Sequence, residues 1–352
     1  MKLDRAELIE ALLPKAQGKP RALLHVAELL RAERQEARAV ELCDQALALA
    51  PGDREFAIRA HVFLAAGVPT WHFDIVRDAA RNEAYEAALR RAIKPGSRVL
   101  DIGTGTGILA MMAARAGAAE VFACEMNPMV ARAAAEIVAA NGLADRIRVI
   151  PKHSNALDAD ADLGGRVDIV VSEIVTNDIL GEEVLDAHER AVRDLLVPGG
   201  QVIPAFGIAR VALAEEPALD QERLGTISGF DLSIFNRLRA PSIPTGVGTG
   251  TLALRSDPAD LFAFDLGTDQ YCKPARSTIE LRSHGGRVNS VVQWMVLGMD
   301  QAGTYEAAPR AMERSAWALV LHPLPEPLDT EPGQAVRVTG AHDRFQLTIW
   351  AD

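Results

Sequence analysis

The sequence predicts an α/β fold in which a doubly wound parallel sheet follows a small all-α segment and precedes a β-barrel. Residues 1–66 are rich in Ala, Leu, Glu and Arg, with apolar positions at helical spacing. Residues 67–205 alternate strand patterns with helical ones. Residues 206–352 lose the helical runs and gain glycines, prolines and short β-type stretches. We therefore expect three domains with these boundaries.

The composition is that of a packed globular protein. The 352 residues are 49% hydrophobic, and a formal net charge of −11 argues against a nucleic-acid partner, which would require a basic face. The three cysteines show neither a metal-ligand spacing nor a disulfide framework. The N-terminus lacks an apolar signal core, and no apolar run reaches the length of a membrane span. These features predict a cytoplasmic protein without a bound metal or a membrane partner.

The all-α segment contains a pattern of two paired helices. Apolar residues recur at helical spacing over residues 22–30 and 39–49, and Ala50-Pro51-Gly52 ends the second stretch. Two antiparallel helices of this kind resemble a single tetratricopeptide unit. One unit cannot bury both of its faces, so it should dock on flanking helices or on the next domain. Structural packing, dimer support and partner recruitment all stay open as its role.

A glycine turn is the main ligand-binding signal of the sheet region. Residues 98–107 read RVLDIGTGTG, and an apolar helix is predicted over residues 108–116. A strand, a glycine turn and a helix N-terminus together form a cradle for a nucleotide-type ligand. Ile108 stands where the motif G-x-G-x-x-G needs its third glycine, which weakens an NAD interpretation. A purely structural turn remains the alternative.

Acidic residues follow the predicted strands of the sheet. The strands are predicted at residues 98–101, 120–125, 147–151, 167–173 and 201–204, and the helices between them at 108–116, 129–141 and 182–196. Asp101, Glu125 and Glu173 fall at the carboxyl ends of strands, where such sheets bind ligands. Glu125 can accept hydrogen bonds from both hydroxyls of a ribose, in NAD or in S-adenosylmethionine.

Short β patterns make up the last part of the chain. They cover residues 208–213, 251–254, 277–281, 288–296, 317–322, 335–339 and 345–350. This spacing, with long loops between the patterns, predicts a barrel or a sandwich.

A pair of glutamates indicates the chemistry. Residues 167–185 read VDIVVSEIVTNDILGEEVL, so that Glu173 ends a strand and Glu182 lies nine positions later, across a loop. Both carboxylates should lie at the carboxyl edge of the sheet. Two carboxylates held in this way can bind a planar guanidinium through several charge-assisted hydrogen bonds.

This stretch resembles the double-glutamate loop of the protein arginine methyltransferases, and it is nearest to the branch whose loop reads like ELFDTELIGE. The resemblance covers roughly residues 71–352 and includes NGLADRIRVIPKHS at 141–154 and ISGFDLSIFN at 227–236. With its tetratricopeptide-like segment, the chain looks like a bacterial-type member. The resemblance implies a Rossmann-like class I methyltransferase domain followed by a β-barrel, S-adenosyl-L-methionine as cofactor, and methyl transfer to arginine in a protein or peptide.

The resemblance also implies residue roles. Arg81 would contact the carboxylate of the methionine part of the cofactor, with His72 beside it, and the methionine part and sugar would contact Asp101, Gly103 and Gly105. Glu125 would bind the ribose hydroxyls. The adenine would contact Ser154 and Asn155. Glu173 and Glu182 would bind and orient the guanidinium. Asp78 would support the active site from the preceding helix.

The barrel departs from the family pattern at one loop. Relatives usually carry Thr-His-Trp there, whereas this chain has Ser315-Ala316-Trp317. The side chain of Ala316 can neither accept a proton nor pair with Asp78.

Relatives also form dimers through an arm of the barrel, for which residues 219–247 are the candidate, so we expect a homodimer.

Two alternative functions stay open: a methyltransferase acting on a small molecule or another protein side chain, and a non-catalytic binding or scaffold protein.

Overall fold

The computed structural model describes residues 5–245, 251–309 and 315–351. Its first part is helical, with α1 Arg5–Ala16, α2 Pro20–Ala32, α3 Glu36–Leu49 and α4 Arg54–Ala65. Pro20 occupies the first turn of α2, where its missing N–H costs no hydrogen bond. Asp53 caps α4 by accepting a hydrogen bond from the backbone N–H of Phe56 at 3.0 Å. The helices share a core that includes Ile9, Leu23 and Phe56. The predicted helix pair corresponds to α2 and α3.

A parallel sheet with strand order β3-β2-β1-β4-β5 forms the middle of the chain. Its strands are β1 Arg98–Ile102, β2 Glu120–Cys124, β3 Ile147–Ile150, β4 Val167–Ser172 and β5 Leu196–Ile203. Leu100 lies opposite Phe122 on one side and Val170 on the other. Because the strand order reverses between β1 and β4, a crevice opens at their carboxyl ends. The predicted doubly wound sheet is confirmed.

Helices cover both faces of this sheet. They are α5 Trp71–Ile75, α6 Ala79–Ala92, α7 Ile108–Ala116, α8 Pro128–Ala140, α9 Ala159–Leu163 and α10 Val184–Arg190, with a 3₁₀ turn at Ser154–Ala156 and a π-helical turn at Ala191–Leu195. The helix predicted over residues 182–196 begins later, at Val184, because Glu182 and Glu183 adopt positive φ angles of 55° and 57°. The first helices dock here, since α3 contacts α8 and Asp44 pairs with Arg132.

A curled antiparallel sheet follows. Its strands are β6 Phe206–Glu215, β9 Ile243–Thr245, β10 Ala253–Leu254, β11 Ala259–Asp265, β12 Ala275–Gly298, β13 Thr304–Glu306, β14 Leu319–His342 and β15 Leu347–Ala351. Strand β12 contains the predicted stretches 277–281 and 288–296. Strand β14 contains the stretch 335–339 and most of the stretch 317–322. These stretches read as separate because the β12–β14 register shifts between Arg282 and His284 and again between Val288 and Ser290. The shifts bend continuous strands instead of ending them.

An arm leaves the barrel after β6. It contains α11 Pro217–Gln221, the short hairpin of β7 Thr226–Ile227 and β8 Phe230–Asp231, and a 3₁₀ helix at Ser233–Leu238. It covers most of the predicted stretch 219–247, although residues 246 and 247 lie outside the described residues.

The sheet and the barrel share a continuous apolar core. It runs from Tyr85 and Val99 in the sheet region to Leu297 and Met299 in the barrel. The change at residue 206 is therefore a change in secondary structure, whereas the hydrophobic contacts continue across it. Within the described ranges, no helix is long and apolar enough to cross a membrane.

A buried ion-pair cluster also fastens the barrel to the sheet. Arg344, at the C-terminal end of the barrel, donates two hydrogen bonds of 3.0 Å to the carboxylate of Glu189 and also pairs with Asp186. Both acidic residues lie on α10, which follows the loop carrying Glu182. The side chain of Arg344 is only 3% exposed. A buried carboxylate that loses its cation is strongly destabilising.

We expect Arg344→Met to lower the free energy of unfolding by about 3 kcal/mol, because Glu189 would stay buried without its cation. Arg282→Met is the matched control on the same sheet, since the Arg282–Glu280 pair is exposed and such pairs contribute at most about 1 kcal/mol. Urea unfolding of the two variants checks this. Equal losses of stability would show that the Arg344 pair does not fasten the barrel.

Candidate active site

A cavity of ≈ 480 Å³ opens at the carboxyl ends of β1, β2 and β4. Its size is that of a small-molecule site. Most of the predicted site residues line it, namely His72, Arg81, Gly103, Gly105, Glu125, Ser154, Glu173 and Glu182. As far as the described residues define the lining, Asp78, Asp101 and Asn155 lie off it.

The glycine turn forms the floor of the cavity. Gly103, Gly105 and Gly107 have φ angles of +70°, +55° and +83°, which L side chains rarely adopt. A Cβ atom on Gly103 would lie 2.5 Å from the Cγ2 atom of Ile174. The backbone therefore approaches the cavity only because these positions carry no side chain.

Asp101 lies buried at the end of β1. Its Oδ2 atom accepts hydrogen bonds from the Thr104 hydroxyl at 2.5 Å and from the backbone N–H of Ala110 at 3.0 Å. Its Oδ1 atom is buried without a hydrogen-bond partner among the described residues. Burial raises the pKa of Asp101 to about 6, although the Thr104 hydrogen bond opposes the rise. An unpaired buried acceptor next to a ligand cavity fits a ligand that brings a cation or a donor.

Glu125 follows β2 on the opposite side of the turn. Its two carboxylate oxygens accept hydrogen bonds from the backbone N–H groups of Asn127 at 2.8 Å and Gly105 at 3.1 Å. Each oxygen keeps a lone pair for a ligand hydroxyl. His72 lines the same region and stacks on Trp71, with 3.8 Å between ring centroids. Burial lowers the pKa of His72, and the negative charge of Glu125 only partly opposes this shift.

The two residues predicted at the adenine, Ser154 and Asn155, lie in different environments. Ser154 is buried, lines the cavity, and its carbonyl oxygen accepts a hydrogen bond of 2.8 Å from Arg190. Asn155 is exposed and its backbone N–H donates to His153 Nδ1 at 3.1 Å. Asn155 therefore does not line the cavity, and its contact with the adenine stays a prediction, because successive residues of the 3₁₀ turn at Ser154–Ala156 point in different directions.

A buried ion pair connects the two walls of the cavity. Arg81, on α6, donates from Nε to Glu173 Oε1 at 2.7 Å and makes a second bond from Nη2 to Oε2. Both side chains are 3% exposed. The Arg81 guanidinium also donates a hydrogen bond of 2.6 Å from Nη1 to Asn82 Oδ1 and lies over the ring of Tyr85. The bidentate geometry fixes the plane of the Glu173 carboxylate.

The loop that carries Glu182 is strained. Ile179, Glu182 and Glu183 adopt positive φ angles of 76°, 55° and 57°, unusual for residues with side chains. Thr176 holds this conformation by accepting a hydrogen bond from the backbone N–H of Gly181 at 2.9 Å. Partial burial raises the pKa of Glu182, and the negative charge of Glu125 adds to the shift. The loop thereby brings a second carboxylate to the same cavity as Glu173.

Asp78 lies behind this cavity. It caps α6 by accepting the backbone N–H of Arg81 at 2.9 Å through Oδ1. Its Oδ2 atom accepts hydrogen bonds from the Tyr305 hydroxyl at 2.6 Å and from the backbone N–H of Ala316 at 3.2 Å. The predicted supporting residue therefore contacts Arg81 and the barrel, and it does not face the cavity.

Sequence reasoning missed several residues of this region. Asn127 lines the cavity and caps α8, and the signature Asn127-Pro128 could have revealed it. Trp71 and Glu183 also line the cavity. Tyr305 gave no signal, because its strand comes from a distant part of the chain.

We expect Asp101→Asn to change how the stability of the ligand-free protein depends on pH. Because the folded pKa of about 6 lies above the ordinary 3.8, the carboxyl group stabilises the fold at low pH, and this contribution is lost as the pH rises through 6. An asparagine cannot ionise, so the melting temperature of the variant relative to wild type should be higher at pH 8 than at pH 5.

Melting curves at both pH values check this. Asp162→Asn is the control, since the hydrogen bond from Lys152 lowers the pKa of Asp162 and its replacement should bring no gain at pH 8. An Asp101→Asn difference that is the same at pH 5 and pH 8 would contradict the assignment.

Solved structures with similar folds include the Trypanosoma brucei PRMT1 enzyme–prozyme heterotetrameric complex with AdoHcy. It matches with a TM-score of 0.72 at 23% identity, covering 82% of this chain and 98% of that chain. Arabidopsis thaliana protein arginine methyltransferase 10 matches with a TM-score of 0.67 at 20% identity, covering 79% and 89%. Both likenesses show a shared fold of sheet domain and barrel.

Sequence comparisons go further. The family model described as ribosomal protein L11 methyltransferase matches residues 86–208. Protein arginine N-methyltransferase 7 of Drosophila melanogaster is 30% identical over 329 residues, which are 79% of this chain and 47% of that protein, so the chain spans about half of that relative. The arginine N(omega)-methyltransferase of Streptomyces achromogenes subsp. streptozoticus is 35% identical over 338 residues, covering 95% of this chain and 93% of that protein. The chain belongs to the arginine N-methyltransferase family and is an S-adenosylmethionine-dependent methyltransferase.

Proposed function

We propose that this enzyme methylates a guanidinium nitrogen of arginine in a protein or peptide. The observation that carries the proposal is the position of Glu173 and Glu182, which line the same cavity as the glycine turn and Glu125. One wall of the cavity suits a nucleoside with an amino-acid tail. The other wall offers two carboxylates, which suit a planar cation.

The residues present fit S-adenosylmethionine. We propose that Glu125 holds the ribose hydroxyls, that Ser154 lies at the adenine, and that Arg81 with His72 lies at the amino-acid end. The Oδ1 atom of Asp101, which has no hydrogen-bond partner in the described part of the chain, and the close approach allowed by Gly103 suit the same ligand. When bound, this cofactor supplies a methyl group on a positively charged sulfur.

The two glutamates would position the acceptor. A guanidinium is protonated and delocalised in water, so each nitrogen is a poor nucleophile. Glu173, fixed by Arg81, would bind one edge of the guanidinium and concentrate its positive charge there. The nitrogen left free is then aimed along the line of transfer, and such positioning can supply most of the rate. Glu182, whose pKa is raised, is suited to take the proton that the nitrogen loses as the new bond forms.

Free arginine is a second candidate acceptor. The relative that covers nearly the whole chain is named an arginine N(omega)-methyltransferase, without reference to a protein. Parallel assays with L-arginine and with an arginine-containing peptide separate the two. We expect the higher kcat/KM with the peptide. Turnover confined to the free amino acid would contradict the protein acceptor and leave the guanidinium chemistry in place.

We expect Glu182→Gln to lower kcat by about 10²- to 10³-fold, the loss typical of removing one electrostatic contact to a transition state. Binding of S-adenosylhomocysteine, measured by calorimetry, should change less than about twofold, because a neutral amide disturbs only the proposed acceptor wall. Glu183→Gln is the matched control: it is the next residue, with nearly the same φ angle, and should keep most of the activity. Equal activities of the two variants would refute the assignment.

We also propose that the enzyme is a homodimer formed through the arm. Large apolar side chains of the arm are exposed, with Phe230 at 71%, Ile234 at 69%, Phe235 at 64% and Leu238 at 67%. Four exposed large apolar side chains within nine residues of one arm support its use as an interaction surface. Apolar residues Ile58 and Val62 on α4, one helical turn apart, and Phe73 are exposed and offer partner surfaces on a second copy. The Trypanosoma brucei neighbour is itself a heterotetramer.

Phe230→Glu/Phe235→Glu should convert the dimer to a monomer, because charged side chains would have to be buried in the interface. Light scattering measures the change from twice the chain mass to the chain mass. Phe345→Glu, at an exposed phenylalanine outside the arm, should leave the mass unchanged. A wild-type chain that is already monomeric would contradict the proposal.

We propose domains at residues 1–66, 67–205 and 206–352, with the first tetratricopeptide-like. A cytoplasmic location is supported by Cys43, Cys124 and Cys272, which are free thiols. The net charge of −11 argues against nucleic acid as a partner.

A further inference from the structure

The Asp78 carboxylate is buried where the sheet meets the barrel. One oxygen accepts the backbone N–H of Arg81, and the other accepts the Tyr305 hydroxyl at 2.6 Å and the backbone N–H of Ala316 at 3.2 Å. Only 2% of Asp78 is exposed. A buried carboxylate needs such donors, and the barrel supplies two of them.

A chain of hydrogen bonds then runs from the barrel to the proposed acceptor wall. Tyr305 donates to Asp78, Asp78 fixes the first turn of α6, and the Arg81 side chain in that turn binds Glu173 at two points. Every member of the chain is buried or half-buried. If Asp78 turns away from Arg81, the first turn of α6 loses its cap and the plane of the Glu173 carboxylate is no longer fixed.

The Tyr305 hydroxyl is the side-chain donor that Ala316 cannot provide. Ala316 contacts Asp78 only through its backbone, whereas Tyr305, on β13, reaches the same oxygen with its side chain and also contacts the Ser315 hydroxyl at 3.2 Å. Burial raises the pKa of Tyr305, and its hydrogen bond to Asp78 adds to the rise. The hydroxyl therefore stays protonated at neutral pH and can donate a hydrogen bond to Asp78.

We propose that Tyr305 is a positioning residue for methyl transfer, which orients the Arg81–Glu173 pair through Asp78 and takes the place of a side chain at residue 316. This inference rests on the proposed function, since Glu173 matters to the rate only if it binds the acceptor. It assigns a role in the site to a barrel residue that does not line the cavity.

The test combines loss with rescue. Tyr305→Phe removes one hydrogen bond to a charged group and should lower kcat by about 10- to 100-fold, while the KM for S-adenosylmethionine rises by a smaller factor, since Arg81 is also proposed to contact the cofactor. Because the backbone N–H of Ala316 lies 3.2 Å from Asp78 Oδ2, a histidine at this position starts close to the carboxylate, and we expect it to donate a hydrogen bond to it. The kcat of Tyr305→Phe/Ala316→His should therefore be at least about threefold higher than that of Tyr305→Phe. Ser315→Ala, which leaves the Tyr305–Asp78 bond in place, is the control and should keep most of the activity.

A second variant secures the result if Tyr305→Phe folds poorly. Asp78→Asn keeps an acceptor for the Arg81 N–H but weakens the bond to Tyr305, and it should lose kcat by a similar factor. The double variant should lose no more kcat than either single variant, because both changes act on the same hydrogen bond between Tyr305 and Asp78. Additive losses, full activity of Tyr305→Phe, or no rescue by histidine would overturn the proposal. A wild-type enzyme that transfers no methyl to arginine would instead overturn the proposed function.

Discussion

The buried ion pair between Arg81 and Glu173 is the contact on which the candidate site depends. It joins the first turn of α6 to the end of β4, and both side chains are almost fully shielded from water. Two buried charges are tolerable only when they are paired with good geometry. The pairing is bidentate, so Glu173 has one orientation before any acceptor arrives. The conformational entropy of the Glu173 side chain is therefore lost when the protein folds, before the acceptor binds. Preorganisation of this kind favours catalysis.

The barrel takes part in this arrangement from the opposite side. Tyr305 and the backbone of Ala316 hold Asp78, while the backbone N–H of Ala318 donates to the side chain of Asn177 at 2.9 Å in the loop between the two glutamates. Arg344 fastens the helix that follows this loop. A loop with positive φ angles would relax if it were free. The contact of Ala318 with Asn177 adds to the hydrogen bond between Thr176 and Gly181 within the loop, and both support the conformation that places Glu182 at the cavity.

Much of the fold follows from local sequence patterns. The first four parallel strands, the glycine turn and the acidic strand ends each depend on neighbours in the chain and lie close to the predicted positions, whereas β5 begins five residues before the predicted strand. The continuous strands β12 and β14 could not be predicted, because glycines and register shifts interrupt the apolar alternation without ending the strand. The exposure of Asn155 could not be predicted either, because the direction of a side chain in a 3₁₀ turn changes from one residue to the next.

The candidate site was only partly predictable. Glu173 and Glu182 follow from their spacing and from the charge of a guanidinium, and both line the cavity. The partner of Glu173 does not follow, since Arg81 is 92 positions away. Tyr305 is 227 positions from Asp78, and no periodicity or motif joins residues so far apart. Contacts that depend on how two domains meet are visible only in three dimensions.

The central claim is that the two glutamates direct methyl transfer to a guanidinium nitrogen, and the position of the transferred methyl group tests it most directly. The purified chain is incubated with S-adenosylmethionine labelled in its methyl group and with a peptide that contains arginine, lysine and glutamine. The products are then hydrolysed to amino acids and separated. The account predicts that the label is recovered as methylarginine substituted on a guanidinium nitrogen. Label recovered in lysine or glutamine, with none in methylarginine, would contradict it.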